Sequence, residues 1–109
     1  MNIENAPFQV FDLEHTSPQQ HTGTSGHAFW KTVNHGNVRM RIVEYSSGYL
    51  ADHWCEKGHA VYVLEGSFVS ELQDGRKYEL SKGMSYIVAD HAEAHRSYSE
   101  HGVKLLIVD

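Results

Sequence analysis

Three side chains that commonly bind transition metals, His53, Cys55 and His59, fall within seven residues of this sequence. They directly precede an apolar run at residues 60–64, and a fourth candidate, His95, follows a second apolar segment. Imidazole and thiolate are borderline-to-soft ligands that suit zinc, iron or nickel and disfavour magnesium and calcium. If the four side chains converge, the sequence predicts a site for one divalent transition metal.

The spacing of these residues constrains the backbone. Residues two apart on a strand face the same side, so His53 and Cys55 should point together, with Cα atoms roughly 6.6 Å apart. A straight strand would place His53 and His59 roughly 20 Å apart, too far for one ion. The chain must therefore bend after Cys55, and Gly58 is suited to that bend because glycine adopts backbone angles closed to other residues.

Other readings of the same residues remain open. Cys55 could be an inert buried thiol and His59 a hydrogen-bonded interior histidine. Asp52, Glu56 and Glu93 are near enough in sequence to orient metal-binding imidazoles. The polar side chains that we expect to reach a bound small molecule are Tyr62, Tyr86, His91, Arg41 and Arg96.

The elements that must position these residues are short strands. Apolar and polar residues alternate in short segments bounded by turn residues, and no segment has a sustained helical repeat. Residues 16–26 are mostly small and polar and predict a loop, and residues 34–37 predict a hairpin turn. The predicted strands are residues 8–11, 28–33, 38–45, 61–64, 68–72, 77–80, 84–88, 96–99 and 103–108. Strands at this even spacing predict a closed barrel or jelly roll.

Length and composition limit the remaining possibilities. A chain of 109 residues predicts a single domain, with residues 1–26 as an N-terminal extension (a first strand and a loop) and a barrel core at about 38–109. A net charge of −5 with nine Lys plus Arg argues against a nucleic-acid partner. No apolar run approaches the roughly 20 residues of a membrane helix, and the start of the chain lacks signal-peptide features. One cysteine fits a reducing compartment, and we expect a cytoplasmic protein.

At these residues the chain resembles the cupins, and in particular the small cupins with an Asp-His-Cys-Trp cluster, whose four residue types appear here at Asp52–Cys55. In the first cupin motif, Gly66 matches the closing glycine. Gly48 takes the place of the opening glycine and is one residue closer to the first histidine than is usual. His53 matches the first histidine, Cys55 takes the place of the second, and His59 the place of the usual glutamate.

The second cupin motif is also recognisable. Gly83 fits its opening glycine and His95 its single histidine, with a loop one residue longer than usual. Ala89 replaces a common proline, and Ser99 replaces the usual asparagine.

The resemblance covers residues 38–109 and implies an all-β, cupin-type jelly-roll barrel of two packed antiparallel sheets. It implies that His53, Cys55, His59 and His95 hold zinc, iron or nickel and that the protein binds or transforms a small polar or anionic molecule. An enzyme of this kind would be a metal-dependent oxygenase or isomerase. The alternatives are a binding or sensing module without turnover and a metal-free structural or association domain. We also expect a homodimer, because exposed apolar area is predicted at Phe8, Phe11, Phe29 and Trp30.

Overall fold

The computed structural model describes residues 2–109, and within them all regular structure is β-strand. The all-β prediction is therefore confirmed. The strands are β1 (Gln19–Thr22), β2 (His27–His35), β3 (Val38–Tyr45), β4 (Tyr49–Leu50), β5 (His59–Leu72), β6 (Lys77–Ser81), β7 (Ser85–Val88), β8 (His95–Ser99) and β9 (Val103–Val108).

The strands form one curled antiparallel sheet around the long strand β5. The order along the sheet is β1-β2-β3-β9-β5-β8-β4, and β6 and β7 also pair with β5. The first half of β5 pairs with β7 and β9, and its second half pairs with β6 and β8. A register shift between Val63 and Glu65 separates the two halves. Because a bulge bends a strand and increases its twist, β5 passes from one side of the barrel to the other.

The core lies on the inner face of this curved sheet. Along β9, Val103, Leu105 and Ile107 are buried and alternate with less buried neighbours, as expected for a strand with one face in the core. The core cluster is Val43, Val61, Val63, Phe68, Leu80, Val103, Leu105 and Ile107. Burial of each such side chain contributes roughly 1.5–3 kcal/mol.

Gly66 explains why β5 is one strand and not the two separate strands predicted at residues 61–64 and 68–72. Its φ is +79°, and a Cβ at this position would lie 2.4 Å from the carbonyl oxygen of Gly102. Glycine is therefore needed here for a bend and for close approach of the neighbouring backbone, and not for a chain-reversing turn.

The N-terminal region also differs from the prediction. Residues 8–11 form no strand, and Phe8 is 97% exposed. Instead β1 forms inside the predicted loop and pairs with β2, with Gln19 opposite Trp30. Its side chains are polar because it is an edge strand that is mostly open to water, so the apolar alternation that reveals a strand is missing. None of the described residues belongs to a helix that could span a membrane.

Candidate metal centre

Three of the predicted ligands meet at one end of the barrel. One ligand atom from each of Cys55, His59 and His95 can be chosen so that all three lie within 4.8 Å of one another. His95 is 3% exposed, and Cys55 and His59 are partly buried. Three convergent donors with limited access to water are the arrangement that a tightly held ion requires.

Backbone pairing places two of these side chains together. Cys55 and His95 form an isolated antiparallel bridge, in which the Cys55 amide donates to the His95 carbonyl at 2.7 Å and the His95 amide donates to the Cys55 carbonyl at 3.0 Å. Residues opposite each other in such a pair have adjacent side chains. The thiol and the imidazole are therefore neighbours although forty residues separate them in the sequence.

The third ligand, His59, is the first residue of β5, and its ring lies near the other two. The bend expected at Gly58 is not observed, because residues 56–58 form no turn and the φ of Gly58 is not positive. The Gly58 amide donates to the Asp90 carboxylate at 2.6 Å, and a Cβ on Gly58 would lie 2.4 Å from the Asp90 amide nitrogen. Gly58 is thus required for close packing of two loops, whereas the sequence argument had relied on its backbone freedom.

Hydrogen bonds orient the two imidazoles. His95 Nδ1 lies 2.9 Å from the Glu93 carbonyl oxygen, which can only accept, so Nδ1 carries the proton. The lone pair of neutral His95 is then on Nε2, which faces the Nε2 of His59 at 2.9 Å. Orientation of a ligating histidine by a carbonyl is a common second-shell feature of metal sites.

One buried atom lacks a partner in this arrangement. His59 Nδ1 is buried without a hydrogen bond, and it lies 3.6 Å from a carboxylate oxygen of Asp109, which is too long for one. If His59 Nε2 gave its lone pair to a metal, Nδ1 would carry a proton facing that carboxylate. The surroundings of Nδ1 are therefore compatible with metal binding by His59 Nε2.

The spacing and the chemistry of the three donors also fit a bound transition-metal ion. Two nitrogens on one tetrahedral zinc would be about 3.3 Å apart, given Zn–N distances of about 2.0–2.1 Å. The observed separation of 2.9 Å between the two Nε2 atoms needs an adjustment of only a few tenths of an ångström. Two imidazoles and a thiolate could hold zinc, iron or nickel, and three protein ligands would leave a coordination position open.

Electrostatic interactions and burial favour the deprotonated, metal-binding forms of Cys55 and His59. A hydrogen bond to His95 lowers the pKa of the Cys55 thiol, and the same bond raises the pKa of His95. Burial, reinforced by the charge of His95, lowers the pKa of His59 to about 4. Near neutral pH His59 is therefore neutral in the metal-free site, and the directions of the other two shifts favour a Cys55 thiolate paired with protonated His95.

This protonation pattern predicts a pH-dependent affinity for metal. The ion must displace the proton of His95, so affinity should rise about tenfold per pH unit below the raised pKa of His95 and level off above it. Competition with a coloured chelator between about pH 6 and 8 measures this dependence, around the ordinary pKa of histidine. His59 is already neutral throughout that window, so its titration does not add to the change of metal affinity with pH. An affinity that does not change over the window would contradict the thiolate–imidazolium pairing.

The structure places His53 outside the cluster of three. Its side chain is 75% exposed, and its Nδ1 lies 2.7 Å from the Asp52 carboxylate. It lines the cavity beside the cluster, at the entrance. The other expected orienting carboxylates also act elsewhere: Glu56 lies near His91, and the Glu93 side chain pairs with Arg76.

The five expected ligand-contact residues divide into two groups. Tyr86, Arg41 and Arg96 line the cavity, and the Tyr86 hydroxyl lies 3.1 Å from His59 Nε2. Burial raises the pKa of Tyr86, so its hydroxyl keeps its proton. Tyr62 and His91 do not line this cavity: Tyr62 is 45% exposed, and the side chain of His91 is 80% exposed.

Asp109 is a buried charged residue close to His59 that the sequence analysis did not single out. Its side chain is 1% exposed and accepts hydrogen bonds from Arg39 at 2.9 Å and from Arg41 at 3.0 Å. Burial alone would raise the pKa of Asp109, but the bond from Arg39 and both arginine charges outweigh it and lower that pKa. The alternation of apolar residues along β9 could have indicated that Asp109 faces inward, because Asp109 continues the series of Val103, Leu105 and Ile107.

The cluster borders a cavity of about 290 Å³ inside the barrel. Its walls are aromatic and cationic, and include Trp30, Tyr45, Tyr86, Arg39, Arg41 and Lys57. A second cavity of about 300 Å³ is lined by residues of β5, β6, β7 and β8, and it shares Tyr86 and His95 with the first. These volumes are at the lower end for ligand sites and suit a small molecule.

Comparisons with known proteins are informative about the fold. No protein-family model matches this chain, and a search of curated proteins finds no match. Among solved structures, ectoine synthase from P. lautus is similar with a TM-score of 0.74 at 19% identity, over 93% of this chain and 76% of that one. An RmlC-like cupin from Shewanella frigidimarina has a TM-score of 0.71 at 21% identity, over 95% and 91% of the two chains.

A predicted oxalate decarboxylase from Thermotoga maritima is also similar, with a TM-score of 0.74 at 13% identity over 92% of this chain and 96% of that one. All three likenesses extend over nearly the whole of this chain. The sequence identities are low, so they are informative about architecture and not about activity. Together with the all-β topology, they show that this chain has the cupin fold.

Proposed function

We propose that this protein holds one divalent transition metal through Cys55, His59 and His95 and binds or transforms a small polar molecule at that metal. The observation that carries the proposal is the convergence of these three donors within 4.8 Å at the edge of an internal cavity. The buried Nδ1 of His59 is compatible with this proposal, because metal binding by Nε2 leaves the ring proton on Nδ1, where it faces Asp109.

Such a metal would act as a Lewis acid or an oxygen-activating centre. The protein's own groups would do the remaining work. The Tyr86 hydroxyl, 3.1 Å from His59 Nε2, would supply a proton-bearing group beside the metal ligands. The inner apolar wall, which includes Val61, Leu105 and Ile107, would limit the access of water.

A binding or sensing module without turnover is the second candidate function. It is favoured by the placement of His91, a titratable side chain that we expected to reach the bound molecule. His91 is exposed, lies near Glu56 and does not line the cavity. Tyr86 is then the remaining candidate for proton transfer, and its raised pKa makes it a poor general base.

Elemental analysis of protein purified without chelator or histidine tag tests the proposal. We expect about one zinc, iron or nickel ion per chain, as for a three-ligand site. Less than about 0.2 ions per chain, with no gain on adding these metals, would support the metal-free structural role, since a preformed set of deprotonated ligands should take up metal.

We also propose that the chain belongs among the small cupins with an Asp-His-Cys-Trp cluster. The support is that each member of the cluster has a contact near the cavity: Asp52 binds His53, Cys55 lies in the metal cluster, and Trp54 stacks on Arg96 with 4.4 Å between the guanidinium carbon and the ring centre. A cytoplasmic location is part of this proposal, because Cys55 must stay reduced to bind metal.

A homodimer is the proposed assembly. Apolar area is exposed at the N-terminus, where Phe8 is 97% and Val10 80% exposed, and on the outer sheet face, where Ile87 is 85% exposed. Trp30, which we expected at the interface, lines the cavity instead. We expect the mass of a dimer by light scattering at micromolar concentration, and a shift to monomer for either Phe8→Glu or Ile87→Glu, whichever lies in the interface. A monomeric wild-type protein would exclude the dimer.

A further inference from the structure

The cavity beside the metal cluster has an excess of positive charge. Arg39, Arg41 and Lys57 line it, and Asp109 pairs with both arginines. A fourth cation, Arg96, is neutralised outside this group because it binds the Glu71 carboxylate at 3.0 Å. One carboxylate therefore balances two buried or half-buried guanidinium groups.

Arg41 is the most constrained of these cations. It is 5% exposed, and its guanidinium carbon lies 4.4 Å from the centre of the Trp30 ring. One terminal nitrogen donates to Asp109 at 3.0 Å, but the Nε atom is buried with no hydrogen-bond partner. Buried arginine donors are nearly always satisfied, so this guanidinium group, which lines the cavity, lacks part of its set of acceptors among residues 2–109.

The position of Arg41 also connects this donor to the metal cluster. The carboxylate that holds Arg41 is the same Asp109 group that lies 3.6 Å from His59. Arg41 and His59 both line the cavity, and the carboxylate of Asp109 lies close to each of them. A small molecule that accepts a hydrogen bond from Arg41 would lie beside the metal ligands.

We propose that the molecule bound in this cavity is a small carboxylate, whose negatively charged oxygens accept hydrogen bonds from Arg41. This inference rests on the proposed metal centre for the position of the rest of the molecule. A carboxylate fits because guanidinium groups bind planar oxyanions in a fixed geometry, and because an anion compensates the unbalanced charge. The cavity volume of about 290 Å³ limits the ligand to a small molecule.

The test compares acetate with acetamide, a neutral molecule of the same shape. The protein is loaded with cobalt(II), the bound metal is quantified, and the visible spectrum is titrated with each compound at constant ionic strength. We expect acetate to change the cobalt spectrum at concentrations at least about tenfold lower than acetamide, because charge-assisted hydrogen bonds are stronger than neutral ones. A parallel thermal melt of chelated protein detects the same preference without metal.

Matched variants assign the effect to one residue. Arg41→Lys keeps the charge but loses the planar Nε donor, and we expect it to weaken acetate binding by about tenfold. Arg76→Lys makes the same change at a surface arginine that pairs with Asp74, and it should leave acetate binding unchanged.

The outcomes separate this inference from the proposed function. If wild-type protein takes up no cobalt, the metal centre fails, and the thermal melts alone decide on the carboxylate. If cobalt binds but acetate and acetamide act alike, or if Arg41→Lys binds acetate like wild type, the carboxylate inference is overturned and the metal centre stands.

Discussion

Replacing Cys55 with alanine is expected to lower bound metal from about one ion per chain to less than about 0.2, because only two imidazoles would remain and a tight site needs at least three ligands. Cys55→Ser is expected to retain some metal but to change the preference among zinc, iron and nickel, since a hydroxyl oxygen is a harder donor than a thiolate. Elemental analysis after dialysis against an equimolar mixture of the three metals measures both effects.

His53→Ala is the matched control for these variants. His53 lies two residues from Cys55, but its side chain is 75% exposed and bonded to Asp52. We therefore expect this variant to keep its metal. If His53→Ala lost as much metal as Cys55→Ala, then the His53 side chain must move into the site when metal binds. Four protein residues would then bind the ion.

Replacing Asp109 with alanine is expected to destabilise the metal-free protein by about 3–5 kcal/mol, the cost of leaving a buried charge without its partner. Asp109 is 1% exposed, and the partner that it would leave unpaired, Arg41, has a side chain that is 6% exposed. Urea unfolding in the presence of a chelator measures the change without any contribution from metal binding.

The exposed pair of Asp74 and Arg76 provides the comparison. Its side chains are 54% and 49% exposed, so water screens their attraction, and Asp74→Ala should unfold at nearly the same urea concentration as wild type. If Asp109→Ala behaved like Asp74→Ala, then Arg41 would have found another acceptor, and the buried pair of Arg41 and Asp109 would not contribute to stability as described.

The sequence predicted most of the barrel because its inner strands alternate clearly. The bounds of β3 and β9 agree with the predicted residues 38–45 and 103–108. The sequence failed at β1, whose polar edge-strand residues carry no alternation, and at residues 8–11, whose apolar side chains find no partner strand. Local pattern reveals strands that bury one apolar face and misses edge strands such as β1, whose contacts with β2 are made by the backbone and by polar or aromatic side chains such as His21 on Trp30.

The candidate site was partly predictable for a related reason. Ligand chemistry and the need for a bend identified Cys55, His59 and His95 as candidates. The two-residue spacing of His53 and Cys55 suggested a shared face, but Cys55 lies in an isolated bridge and His53 in a loop, so strand geometry does not apply between them. The role of Asp109 depends on contacts with β3 across almost seventy residues, which spacing along the chain does not show.

The central position of β5 has a consequence for how this protein folds. Four other strands hydrogen-bond to β5, and its neighbour β9 must also pair with β3, where Met40 lies opposite Val108. The long segment between β3 and β9 must close into a loop before their pairing contributes stability. The folding rate should therefore be low for a chain of this length. A nascent chain that has emerged only through β5 would lack partners for both of its edges, and it would be vulnerable to aggregation until its last strand is synthesised.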